Sequence, residues 1–246
     1  MEGESSFQVS DFSLDSQNNF YFSFNQRLLK ISNQGQKLAE KIFQTEYAES
    51  YEGEKNIIPN PGTPYLAEDG TLLLAVQNGY CAKLSNYLGE PYDGCQNMFY
   101  ALNSQNLQGE PKWKKPDLLS PIALNAQEFY YQKGSSGAYN WHYLDLFAID
   151  ISTGNTNWTK HWGGQDSAPQ PLSVPLIDNQ NNVYFTQGGK IFGYSIIQIL
   201  DNIPENGKIL DSPGANYRAC SSLSLANGVL YLPAASQITA LTFPPD

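Results

Sequence analysis

A pattern of about 50 residues recurs along this chain, and repetition on that scale restricts the fold more than any single motif does. Five segments open with an extended apolar stretch, a short polar turn and an aromatic-rich strand. They read FSLDSQNNFYFS (12–23), YLAEDGTLLLAV (65–76), IALNAQEFYYQ (122–132), LIDNQNNVYFT (176–186) and LSLANGVLYLP (223–233). Counted from Phe20, Thr71, Phe129, Val183 and Val229, the second strands begin 51, 58, 54 and 46 residues apart. The turns EDG, DNQNN and ANG carry the Asp, Asn and Gly that chain reversals need, and alternation on either side marks paired strands.

A third strand follows in each unit: LLKIS (28–32), FYALN (99–103), LFAIDI (146–151), IFGYS (191–195) and ITALT (238–242). Four units then pass through a Gly-containing turn into a fourth strand: NQGQKLAEKIF (33–43), LQGEPKWKK (107–115), STGNTNWTKHW (152–162) and ENGKILD (205–211). Four-stranded meanders of this length suit propeller blades, which hide most of their edges by radial arrangement. The expected fold is therefore all-β: a single β-propeller domain of about five four-stranded blades, or a segment of a larger ring. Its units fall near 6–50, 57–116, 117–166, 167–212 and 213–246. The last unit stops before a fourth strand, so a closed five-unit ring would draw on residues 6–10 (SFQVS) for one. Helical spacing is also readable at 36–55 and 191–203, which makes these the weakest places for an all-strand assignment.

The segments LFAIDISTGNTNWTKHW and MFYALNSQNLQGEPKW resemble the PQQ-type repeat of the quinoprotein family. In that repeat an Ala-hydrophobic-Asp strand runs through Thr-Gly to a Trp four residues after the Gly. Trp158 follows Gly154 at that distance and Trp113 follows Gly109, whereas the first and fourth units carry Ala39 and Asp211 there. The resemblance implies a structural role for Trp113 and Trp158, docking neighbouring blades. Quinoprotein enzymes of the family are much larger rings with an adjacent Cys-Cys pair beside the cofactor, and no two cysteines are adjacent here. The calcium-binding acids and the catalytic Asp of those enzymes have no matching local motif. Many proteins with this repeat are non-catalytic scaffolds, among them a propeller lipoprotein of outer-membrane barrel assembly.

Composition narrows the function classes. The formal net charge is −10, from 24 acidic against 14 basic residues, so phosphate backbones and anionic membrane surfaces are disfavoured partners. No apolar run is long enough to span a bilayer, and the acidic start MEGESSFQVSD does not resemble a secretory signal. The chain is either cytosolic or a mature form without its signal. The amide-rich surface and the family resemblance together lead us to expect an extracytoplasmic protein, periplasmic or secreted. Cys81 and Cys95 either bridge the ends of a local excursion or pack as free thiols like Cys220.

Motifs for chemistry are few. His142 and His161 are the only histidines, and HExxH, CxxC, GxSxG and phosphate-loop patterns are absent. DNQNN (178–182) has no Gly or distal Glu placed as a calcium loop needs them, and reads as a tight turn. No cofactor and no metal is expected. Asn157-Trp158-Thr159 is a formal glycosylation sequon, with no glycan expected at a Trp taken to be buried.

The distinctive segment is KGSSGAYNWHYLD (133–145), where the other units have a short link between second and third strands. It carries Tyr139, Trp141, His142 and Tyr143, aromatic rings with polar tips of the kind that sugar or protein partners stack against. A longer hairpin packed on a neighbouring blade would show the same alternation. A comparable excursion, 85–97, carries Tyr87 and Tyr92. The expected function is thus a non-enzymatic binding or scaffold propeller that presents loops to a protein or saccharide partner. The alternative is a small quinoprotein-like oxidoreductase or a propeller hydrolase. The sequence leaves the oligomeric state open.

Overall fold

In the first three repeats an Asp or Asn between the first and second strands folds its side chain back onto the next few amides, and these turns set where the strands pair. Asp15 Oδ1 accepts the backbone N–H groups of Gln17 and Asn19, both at 2.9 Å. Asp69 accepts that of Thr71 at 2.8 Å, and Asn125 accepts those of Gln127 and Glu128 at 2.9 and 2.7 Å. Such turns free the flanking residues for a sheet ladder.

The computed structural model describes residues 9–85, 89–118, 122–136, 141–165, 176–178, 183–188, 195–200, 208–210, 224–226, 229–234 and 237–242. Among them there is no helix, and none long and apolar enough to cross a membrane. The strands in chain order are β1 (Val9–Leu14), β2 (Phe20–Phe24), β3 (Arg27–Ile31), β4 (Lys37–Ile42), β5 (Glu46–Tyr47), β6 (Asn60–Pro61) and β7 (Tyr65–Leu66). Next come β8 (Thr71–Ser85), β9 (Pro91–Asn103), β10 (Trp113–Pro116), β11 (Ala123–Leu124), β12 (Glu128–Ser136), β13 (Trp141–Asp150) and β14 (Thr156–Gln165). The series ends with β15 (Leu176–Ile177), β16 (Val183–Gly188), β17 (Ser195–Leu200), β18 (Lys208–Leu210), β19 (Ser224–Ala226), β20 (Val229–Ala234) and β21 (Gln237–Thr242).

The strands form sequential antiparallel meanders: β1-β2-β3-β4, β10-β9-β8 with β5, β6 and β7 on β8, β11-β12-β13-β14, β15-β16-β17-β18 and β19-β20-β21. Both segments with helical spacing contain strands, β4 and β17, because each has a partner ladder to complete. The second sheet departs from the four-stranded pattern. Its β5 lies in the stretch assigned to the first repeat, yet pairs in parallel with β8. Val9 and Ser10, considered above for closing the last sheet, belong to β1, where Val9 pairs with Phe24 across a bulge.

The chain divides into two compact units, residues 1–120 with 151–155, and 121–150 with 156–246. In the first unit, Tyr21 and Leu28 of the first sheet meet Leu72, Leu74, Val76, Met98, Tyr100 and Leu102 of the second in one buried cluster. Complete burial of side chains this size contributes about 1.5–3 kcal/mol each. In the second unit, Tyr130, Leu146 and Ala148 pack with Val183 of the next sheet, and Trp158 and Ile177 close over them.

Trp113 is half-buried in the first unit. Its ring stacks on Phe99 with centroids 6.1 Å apart, and its indole N–H donates to the Ile151 carbonyl at 2.8 Å. Gly154 has φ +72°, and a Cβ there would lie 2.7 Å from the indole. The position therefore requires glycine twice, for the left-handed backbone and for the close approach of the ring. Trp158 is also half-buried, its ring 5.8 Å from that of Tyr130. Next to it, Asn157 is exposed and donates to Glu128 Oε1 at 2.6 Å.

Candidate functional site

Two hairpins grow well past the five-residue strands β2 and β3. The first is β8–β9, which runs on beyond a bulge between Val76 and Tyr80 to the pair Ser85 and Pro91. Beyond the bulge it is held by Cys81 and Cys95, which stand directly opposite each other and are joined by a disulfide. The bridge resolves the two readings of these cysteines left open by the sequence. Cys81 is fully buried, the Ala48 N–H donates to its carbonyl at 2.8 Å, and the Tyr51 hydroxyl lies 4.0 Å from the Cys95 sulfur. Tyr92 is exposed on this arm, opposite Leu84, while Tyr87 lies outside the described residues. Removing the bridge with paired Cys→Ala changes should cost about 3 kcal/mol, the chain-entropy value for a loop near this length. Urea unfolding of the variant, and of the wild type with and without reductant, measures the loss.

The second is a three-stranded arm of β12, β13 and β14. Its register runs unbroken from Glu128↔Asp150 to Ser136↔His142, and β14 follows β13 outward as far as Trp141↔Gln165. The segment singled out in the sequence is thus mostly strand. Trp141, His142 and Tyr143 open β13, whereas Tyr139 lies outside the described residues. Trp141 and Tyr143 occupy alternate positions, with Tyr143 opposite Ser135 on one side and Gly163 on the other. Nearer the base of the arm, Tyr131 and Phe147 stack with centroids 4.7 Å apart, a pair in register with Thr159.

The first unit also holds a buried polar cluster that no sequence motif announced. Asp15 Oδ2 accepts from the Asn19 amide at 2.9 Å and from the Tyr21 hydroxyl at 3.0 Å, and lies 3.4 Å from Lys30 Nζ. The Lys30 ammonium sits 5.0 Å from the Tyr21 ring centroid and donates to the Ser104 carbonyl at 3.5 Å. Burial by itself would raise the Asp15 pKa, but hydrogen bonds from Asn19, Tyr21 and Gln17 hold this carboxyl well below the usual carboxylate range. Burial opposes the charge on Lys30, and Tyr21 and Asp15 more than restore it, so its pKa is raised. Burial also raises the Tyr21 phenol. The signal that could have revealed this cluster is the placement of Asp15, Tyr21 and Lys30 around one hairpin, in which Tyr21 and Lys30 are cross-strand partners.

A related surface set surrounds Glu46, which receives the Lys114 ammonium at 2.7 Å and the Tyr100 hydroxyl at 3.1 Å. Among the described residues, no three His, Cys, Asp or Glu side chains come together as a metal site requires.

No protein-family model matches the chain, and no curated protein matches it in sequence. Solved structures are similar to it in shape. A luciferin-regenerating enzyme is 14% identical and superposes with a TM-score of 0.50 over 94% of this chain and 71% of that one. The Dos1 propeller (9% identity, 97% and 70% coverage) reaches 0.49, and a gluconolactonase from Xanthomonas campestris (15%, 96% and 72%) reaches 0.47. The superposition at 0.50, added to sequential meander sheets that pack face to face within each unit, decides the architecture. The chain is a β-propeller. Likeness at these identities concerns the propeller fold alone, which hosts many unrelated activities.

Proposed function

We propose that this propeller is a non-enzymatic binding or scaffold protein of the PQQ-type repeat class, which presents its third-sheet arm to a protein or saccharide partner outside the cytoplasm. The observation that carries this reading is the β12–β13–β14 arm. It places Trp141 and Tyr143 at alternate positions of one strand, with Ser135 and Gly163 as the small cross-strand neighbours of Tyr143. Small neighbours favour a platform on which a flat partner stacks, and Trp and Tyr supply large contact area at low entropic cost. Tyr139, outside the described residues, and His142 belong to the same candidate set by their place in the sequence. The Cys81–Cys95 bridge supports an oxidising compartment, where disulfides form and persist.

Trp141→Ala should weaken binding by at least about 30-fold, corresponding to roughly 2 kcal/mol for a hot-spot aromatic, at unchanged melting temperature. The partner would be captured from the native source by pull-down, and saccharides screened on a glycan array. Lost stability with the same substitution would return Trp141 to the core and sink the site. Tight binding of PQQ with calcium, accompanied by dye-coupled oxidation of alcohols or sugars, would overturn the non-enzymatic assignment.

A further inference from the structure

Asn157-Trp158-Thr159 is the chain's only Asn-X-Ser/Thr sequence, and the expectation that it stays bare rested on burial of its tryptophan. The structure separates the three residues. Trp158 is half-buried, its ring packed against the cluster of Tyr130, Leu146, Ala148 and Val183, whereas Asn157 and Thr159 on either side of it are exposed. A shift of register on β14 accompanies this. Trp158 pairs with Ala148 and Thr156 with Ile149, so two steps on β14 answer one on β13, and Asn157 is the extra residue of a bulge. Bulges leave that residue out of the ladder and re-aim its side chain.

Room for a bulky substituent is the second requirement. β14 is the last strand of its sheet, and among the described residues no strand pairs along its outer side. A group attached to Asn157 would therefore displace no described strand of that sheet. The contact with Glu128 is compatible with it too. Asn157 Nδ2 donates to Glu128 Oε1 at 2.6 Å. A carboxamide nitrogen carries two N–H groups, so substituting one leaves the other for this bond.

We infer that Asn157 is the attachment site of an N-linked oligosaccharide. The inference rests on the oxidising, extracytoplasmic compartment proposed above, in which Cys81 and Cys95 are joined. The donor is an oligosaccharide carried on a lipid diphosphate. In the transfer Nδ2 attacks the anomeric carbon, a C–N bond forms, the C–O bond to the diphosphate breaks and the amide gives up one proton. A hydrated glycan here would cover the edge of β14, and exposed strand edges are where sheets pair with other chains.

Mass spectrometry of the protein purified from its native source tests the assignment. The peptide containing Asn157 should carry a saccharide mass, and enzymatic release of the glycan should leave Asp at that position. The state of Cys81 and Cys95 is read in the same sample. A bare Asn157 beside a formed Cys81–Cys95 bridge would overturn the glycan and leave the compartment reading standing. A bare Asn157 with both thiols free would overturn both. Secreted from a glycosylating eukaryotic host, the wild type should appear as a heavier species that Thr159→Ala abolishes and Thr159→Ser retains. Both variants keep Asn157 and its bond to Glu128 and alter only an exposed side chain, so the melting temperature after deglycosylation should not move. An unmodified wild type in that host, or a Thr159→Ala protein that still carried the glycan, would refute the site.

Discussion

Asp15→Ala is expected to destabilise the fold by about 3–5 kcal/mol, the usual cost of removing one partner of a buried ion pair. Its carboxylate receives the Asn19 amide, the Tyr21 hydroxyl and two backbone N–H groups, and it faces Lys30, whose side chain is only 9% exposed. Without Asp15 the ammonium would keep the Ser104 carbonyl, at 3.5 Å, and the Tyr21 side chain, but no counter-charge from Asp15. Urea unfolding at neutral pH measures the change, and a loss below about 1 kcal/mol would refute the ion-pair account. Adding Lys30→Met to Asp15→Ala should recover part of the loss, because a buried pair can be exchanged for apolar packing at little cost.

The pH dependence follows from the depressed Asp15 pKa. In the unfolded chain this carboxyl takes up its proton near the ordinary value of about 3.9, and in the folded chain only at lower pH. The stabilisation is therefore complete above the unfolded value and is lost as pH falls from there toward the folded one. Asp15→Asn should flatten the acid limb of the stability profile below about pH 4 and leave the slope at neutral pH alone.

Trp113→Ala should lower stability by about 3 kcal/mol, the lower end for large aromatics in a core, since the ring is only half-buried. Three contacts go together: the stack on Phe99, the hydrogen bond to the Ile151 carbonyl and the seat on Gly154. Trp113→Phe would keep most of the stack and lose the hydrogen bond, so a smaller loss of about 1 kcal/mol separates the two contributions. Gly154→Val approaches the same contact from the other side. It should be at least as harmful as Trp113→Ala, because the side chain would meet the indole and the backbone would be strained at positive φ. A Gly154→Val protein as stable as wild type would show that this turn does not seat the tryptophan.

The sequence by itself carried the all-strand character, the hairpin positions and the turn residues, because these depend on local chemistry of period two. Asp15, Asp69 and Asn125 cap the first turns, and Gly35 and Gly154 take the left-handed conformation before the fourth strands, as their residue types require. The special status of residues 133–145 was legible as well, from length and aromatic alternation. Only the tertiary structure decided that most of this insertion is strand paired with β14, that Cys81 faces Cys95, and that β5 joins the second sheet. Pairing between strands depends on register and on neighbours far apart in sequence, which one-dimensional patterns do not specify. The same holds for the Asp15–Lys30 pair and for Asn157, whose exposure beside the half-buried Trp158 goes with a bulge in the pairing of β13 and β14.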